Sequence, residues 1–191
     1  LHLEDTLQVF ASIYTYDYDG YQDELEQFDP IRGAGANFVS NADGITNKGF
    51  EVELYYAATD RLTLSGNFSY TETEYGEDYL VFMVDDPVNP VPVFGQCTQG
   101  YVSCQVDDPT FAEDYTVNLK GGPLKGIPEI KHTIRITYEM DSFVGPLWWL
   151  LSHSYTGDFS ASGVQRPLDE ISSRDTTTLN ISWYSEDGKT S

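Results

Sequence analysis

The chain has 191 residues, 40% of them hydrophobic, and its 31 acidic against 10 basic residues give a formal charge of −21. That surplus repels nucleic acid and anionic lipid surfaces, which excludes nucleic-acid binding and leaves cations or cationic ligands as electrostatic partners. No run of about 18 apolar residues occurs, the longest block being Leu147 to Leu151, so a membrane-spanning helix is excluded. A membrane barrel is not, because its alternating strands keep mean hydropathy low, and the value here is −0.37.

The chain opens at Leu1-His2-Leu3-Glu4 with no initiator Met, basic segment or apolar leader, as expected of a fragment or a mature segment. Thr6 to Tyr16 sets Leu7, Val9, Ala11 and Ile13 against Gln8, Phe10, Ser12 and Tyr14, a strand that ends in the turn Asp17-Tyr18-Asp19-Gly20. Residues 21–38 are acidic and glycine-containing, and predict a loop with some strand extension. From Asn47, Phe50, Val52, Leu54 and Tyr56 alternate with Glu51, Glu53 and Tyr55. After Ala58-Thr59-Asp60-Arg61 comes a second strand with Leu62, Leu64, Gly66, Phe68 and Tyr70 on one face, so the two form a tight hairpin.

Residues 72–127 hold five prolines and both cysteines, too long a stretch for an ordinary connection. No Lys or Arg falls between Arg61 and Lys120, so this acidic loop concentrates the charge. Ile130 to Met140 alternates strictly, with Ile130, His132, Ile134, Ile136, Tyr138 and Met140 against Lys131, Thr133, Arg135, Thr137 and Glu139. It turns at Asp141 to Pro146 and returns as Leu147 to Thr156, with Leu147, Trp149, Leu151, His153 and Tyr155 on one face. A polar connector, Gly157 to Ser173, leads to a last strand in which Thr177, Leu179, Ile181 and Trp183 share a face.

Long and short connections therefore alternate, which is the pattern of an outer-membrane barrel with short periplasmic turns and long extracellular loops. Tyr56, Tyr138, Trp149 and Trp183 fall near the short turns, and Tyr70 and Tyr155 near the long loops, as two aromatic girdles would. Glu51, Glu53, Lys131, Arg135 and Glu139 make the opposite face too polar for a dry core and suit a wet or plugged lumen. The predicted fold is all-β: about six strands of a transmembrane antiparallel up-and-down barrel with long extracellular loops.

Asn41-Ala42-Asp43-Gly44-Ile45-Thr46-Asn47-Lys48-Gly49-Phe50-Glu51-Val52-Glu53-Leu54 resembles the "Asn-Ala-Gly…Lys-Gly-Val-Glu-Leu-Glu" stretch of TonB-dependent outer-membrane receptors. Leu7 to Tyr14 resembles the family's strand ending in Phe-Tyr, Asp60 to Tyr70 its following strand, Gly126-Ile127-Pro128 before Lys131-His132-Thr133 its "Gly-x-Pro…His" stretch, and Leu179 to Trp183 a later strand. The resemblance covers nearly the whole chain except the long loops. It implies a partial barrel domain over residues 1–191, lacking the plug, the TonB-contacting box and the terminal strands of a barrel of about 22.

The function it implies is active uptake of a scarce nutrient, a ferric siderophore or other metal complex, cobalamin or a saccharide, across the outer membrane of a Gram-negative bacterium. The implied partners are the receptor's own plug, the TonB complex, the nutrient and the lipid bilayer. Glu51, Glu53, Lys131, Arg135 and Glu139 would then line the lumen toward water or the plug, with Ile134 and Ile136 in lipid. Passive porins or adhesins and a secreted carbohydrate-binding sandwich are the rival classes.

Tyr79, Phe94, Tyr101 and Tyr115 in the long loop are candidates to stack a sugar or catechol, against simple packing within the loop. Acidic loops disfavour anionic ligands. Asp17-x-Asp19-Gly20-x-x-Asp23-Glu24 has the flavour of a Ca²⁺ loop, but its glycine is misplaced for an EF-hand and a solvated acidic turn is the plainer reading. His132 and His153 read as interfacial residues. No Ser, His and Asp constellation forms, so an enzyme is not expected, and no cofactor is called for.

Cys97 and Cys104 lie close together in a stretch rich in Pro, Gly and Asp, which suits a local disulfide in an oxidising compartment. Free thiols are the other reading, and a zinc site lacks its ligands. Non-reducing mass spectrometry is expected to find one peptide carrying both cysteines linked, and alkylation of both without prior reduction would refute the bridge.

Overall fold

The computed structural model describes residues 2–3, 6–29, 34–82, 116–143, 145–163 and 167–183. The strands in chain order are β1 (His2–Leu3), β2 (Leu7–Tyr18), β3 (Tyr21–Asp29), β4 (Ala34–Ala42), β5 (Ile45–Thr59), β6 (Leu62–Tyr75), β7 (Leu80–Phe82), β8 (Thr116–Asn118), β9 (Ile130–Ser142), β10 (Gly145–Thr156), β11 (Phe159–Ser160), β12 (Glu170–Ile171) and β13 (Arg174–Trp183). Seven of them form one antiparallel sheet in the order β1-β2-β5-β6-β9-β10-β13. The six long members are the six strands the alternation predicts. Among the described residues the sheet stays open, with β1 and β13 at its edges.

Register keeps the two faces of the sheet distinct. One row runs Tyr56, Leu64, Ile136, Leu151, Leu179, and its neighbour runs Leu54, Gly66, Ile134, His153, Thr177. On the reverse face one row runs Glu51, Ser69, Lys131, Thr156, Arg174. A slip of one residue in any pair would mix the two sets, so the alternation excludes such slips.

The short turns are closed by local side chains. Thr59 Oγ1 accepts the backbone N–H groups of Arg61 (3.2 Å) and Leu62 (3.0 Å), and the register shifts between Ala57 and Thr59 to admit this turn. Arg61 then reaches the neighbouring turn and pairs with Asp141 at 2.6 Å, while its carbonyl accepts the Glu139 N–H. In that second turn Ser142 Oγ donates to the Gly145 carbonyl, and Gly145 takes a φ of 121°, open to glycine alone at little cost.

Residues 21–38 differ from the loop the sequence predicts. β3 and β4 pair residue for residue from Tyr21↔Ala42 to Asp29↔Ala34, extending the β2–β5 hairpin beyond the sheet. Acidic composition hid a strand pair here, because Asp23, Glu24 and Glu26 break the apolar alternation that marks the other strands. Gly20 (φ 69°) and Gly44 (φ 66°) face each other where the extension begins, and Asp43 Oδ1 accepts the Gly20 N–H at 2.7 Å. Both arms therefore bend at one level. Within 72–127, β7 pairs with β8, and within 157–173, β11 pairs with β12.

The buried hydrophobic residues Ala42, Ile45, Tyr75, Leu119 and Leu124 all sit at the long-loop end, and no such core lies under the body of the sheet among the described residues. Gly49 is required where β2 crosses below that core. A Cβ there would meet the Tyr14 hydroxyl at 2.6 Å and the Tyr70 carbonyl closer still. We expect Gly49→Val to lower the unfolding temperature of the sheet and to free the Tyr14 ring, read as loss of heat-resistant mobility on gels; unchanged stability would refute the close packing.

Candidate functional site

The two faces of the sheet differ in chemistry, although both are largely open. The first face exposes Ile13 (88%), Leu54, Ile134 (50%), Tyr138, Leu151, Leu179 (54%) and Ile181. On the second, Glu51, Glu53, Lys131 and Arg135 are exposed and Glu139 is half-buried, so register brings all five expected polar-face residues to one side. They do not converge on one point: Glu53, Arg135, Asn67, Ser65, Thr133 and Tyr55 line a shallow cavity of about 300 Å³ that Phe10 closes on one side, whereas Glu139 lies far down β9 opposite Trp148.

Above the polar face the connections fold inward. Tyr18, Ile45 and Tyr75 share one row of the polar face, and Ala42, Leu119, Leu124 and Tyr79 pack on it. The β3–β4 hairpin and the 119–125 turn therefore cap this end of the sheet on its polar side. Asp23 ties the cap together. It is 3% exposed, accepts the Tyr75 hydroxyl at 2.6 Å and pairs with Lys125 Nζ at 3.1 Å. Burying a carboxylate this fully requires such partners, since an unpaired one would cost several kcal/mol. Burial, reinforced by the hydrogen bond to Asp23, pushes the Tyr75 phenol well above its ordinary value of 10.0, and burial raises Tyr21 and Tyr79 in the same direction.

Thr73 Oγ1 accepts the Leu124 N–H, and the Tyr75 N–H and carbonyl bond to Gly122 and Gly121, so the 119–125 turn is laced onto β6. Asn118 Oδ1 caps Tyr79 and Lys120, while its amide and Lys120 hold the exposed Asp78 carboxyl below its usual range.

Of the loop aromatics the sequence singles out, Tyr79 stacks on Tyr75 at 5.6 Å and hydrogen-bonds Ser40, so it packs within the cap. Phe94, Tyr101, Tyr115, Cys97 and Cys104 lie outside the described residues. Asp17, Asp19, Asp23 and Glu24 do not gather, and among the described residues no three His, Cys, Asp or Glu side chains group to hold a metal ion. His132 stacks on Tyr155 at 5.2 Å and lies 5.7 Å from His153, whose Nδ1 bonds Thr177 Oγ1, all on the apolar face.

Sequence reasoning missed two groups. One is the Asp23, Tyr75 and Lys125 cluster, joined across 52 positions for its first pair with no local signal. The other is a run of tyrosine rings on the polar face, Tyr14, Tyr16, Tyr18 and Tyr21, at successive centroid distances of 5.5, 6.2 and 6.2 Å, which the Tyr-x-Tyr-x-Tyr spacing does signal.

No family model matches the chain, and no curated protein matches it. Among solved structures it is similar to the crystal structure of the ferric yersiniabactin uptake receptor FyuA from Yersinia pestis, with a TM-score of 0.60 and 11% identity. The match covers 97% of this chain and 21% of that one. At this identity the likeness is one of fold alone: an antiparallel all-β sheet like a segment of that structure.

The cap carries a pH dependence of fixed sign. Below the ordinary phenol value of 10.0 the Tyr75 proton is held whether the cap is open or closed, and its full contribution is present. Above it the opened cap releases the proton and the closed cap does not, so stability falls as pH rises. We expect exchange protection factors in residues 21–24 and 40–45 to decline above that pH, and Tyr75→Phe to make the decline shallower while weakening the cap by about 1–3 kcal/mol at neutral pH. Protection independent of pH in the native chain would overturn this.

Proposed function

We propose that this chain is a segment of the barrel of a TonB-dependent receptor, which takes up a scarce nutrient across the outer membrane of a Gram-negative bacterium. The observation that carries the proposal is the exposed apolar face set against a polar one. A soluble protein covers so large an apolar surface, and among the described residues no second sheet or helix lies on it. Lipid is the natural cover, because the strands satisfy their own backbone groups in ladders and only closed sheets and helices can do so in hydrocarbon. A secreted sandwich would instead bury that face against a partner sheet.

The limit of the apolar face supplies an independent measure. On β5 it ends at Lys48, which pairs with Glu72 at 2.8 Å, and on β13 at Asp175, two rows lower in the register. Two rows are about 13 Å along a strand, gained over four strand spacings of about 19 Å in all. A boundary parallel to the membrane then requires a strand tilt of about 35°, the inclination of outer-membrane barrels. The aromatic residues Tyr138, Trp149 and Trp183 fall along the opposite limit.

In this frame Glu51, Glu53, Lys131, Arg135 and Glu139 line the lumen and meet water or a plug supplied by another part of the receptor, and the nutrient approaches from the capped end. The folded-in cap favours a gated receptor over a passive porin. The similarity to an uptake receptor supports the same class, with energy from TonB and no chemistry performed on the nutrient. No resident cofactor is proposed.

In the full receptor, Ile134→Arg is expected to cost about 2–4 kcal/mol and to deplete the protein from the outer-membrane fraction, while Arg135→Gln leaves assembly intact. Equal recovery of the two variants in that fraction, or a soluble native protein, would refute the membrane assignment.

A further inference from the structure

We infer that Tyr14, Tyr16, Tyr18 and Tyr21 form a stacking track on which a neutral, linear oligosaccharide enters the receptor; this deepens the uptake function proposed above and rests on it. The rings follow one another up the inward face of β2 and on to the start of β3, at the capped end. Their middle members are not there to be buried. Tyr16 and Tyr18 remain 52% and 41% exposed on the polar face.

The two ends of the track are fixed. Tyr14 lies over Gly49 and bonds Thr71 Oγ1 two strands away at 2.9 Å, a position that only a missing Cβ permits. Tyr21 packs against the buried cluster of the cap. An exposed run of rings held at both ends is preorganised, so a ligand loses little by ordering it.

The chemistry of the track selects the ligand. Each tyrosine offers a flat apolar ring with a hydroxyl at its edge, which complements a pyranose, apolar across its C–H face and polar around its rim. No free cation stands beside the track among the described residues: Lys125 is engaged by Asp23, and Lys48 is engaged by Glu72 on the opposite face. An anionic chelate would therefore find no counter-charge and a chain of formal charge −21, whereas a neutral sugar is indifferent to both.

The test uses the full receptor containing this chain, purified in detergent, and calorimetric titration with glucose, maltotriose, maltohexaose, cellohexaose and chitohexaose. Affinity for at least one series is expected to rise with chain length. The double variant Tyr16→Ala, Tyr18→Ala should lower hexasaccharide affinity about a hundredfold, roughly tenfold per ring, while Tyr16→Phe, Tyr18→Phe keeps most of it. Both variants replace exposed side chains and should retain the heat-dependent gel mobility of the folded barrel. Absence of binding to every oligosaccharide, affinity independent of length, or no loss in the alanine variant overturns the inference. So does tyrosine-dependent binding of a ferric tris(catecholate) probe in place of sugar. These readouts judge the track alone; absence from the outer-membrane fraction, or uptake that does not need TonB, would instead sink the function on which it rests.

Discussion

The backbone ladder is the constraint on which everything else in this chain depends. Six long strands carry the sheet, yet among the described residues the buried hydrophobic ones gather at one end of it. Over its central length no buried core lies against the sheet among the described residues. Its stability there comes from paired N–H and C=O groups, from cross-strand contacts such as the Phe50 and Phe68 rings stacked at 5.7 Å, and from whatever medium covers each face. Under the proposed function a bilayer on the apolar side would make the ladder obligatory, since an unpaired backbone group in hydrocarbon has no water to turn to.

That same constraint explains why the capped end looks like an ordinary globular protein while the rest does not. Past the limit of the apolar face, turns and short hairpins replace the long ladders. There Gly20 and Gly44 bend the hairpin, Asp23 is buried with both a phenol and an ammonium, and the 119–125 turn is stitched to β6. The tyrosine run begins at this transition, with its first ring pinned over Gly49 and its last in the cap. Binding surfaces belong in such a place, where a rigid scaffold hands over to adaptable loops.

How much was legible depended on the period of the signal. Strands such as Ile130 to Met140 announce themselves because one face must be apolar over their whole length. The polar residues Glu51, Glu53, Lys131, Arg135 and Glu139 were placed on one face for the same reason. Tyr79 was visible as a loop aromatic but its stacking on Tyr75 was not, because that contact joins segments with no common periodicity. Residues 21–38 read as a loop with some strand extension, since the charges of β3 break the apolar alternation even though Asp23 and Ala42 are buried.

The sequence by itself determined the six long strands of the main sheet, their two-faced character and the alternation of short and long connections, because these follow from a period of two residues imposed locally. Only the tertiary structure decided the order and register of the sheet, the inward fold of the cap around Asp23, and the alignment of four tyrosines into one track. Those arise from contacts between residues far apart in the chain. Their energies depend on burial and mutual geometry, which no local pattern encodes.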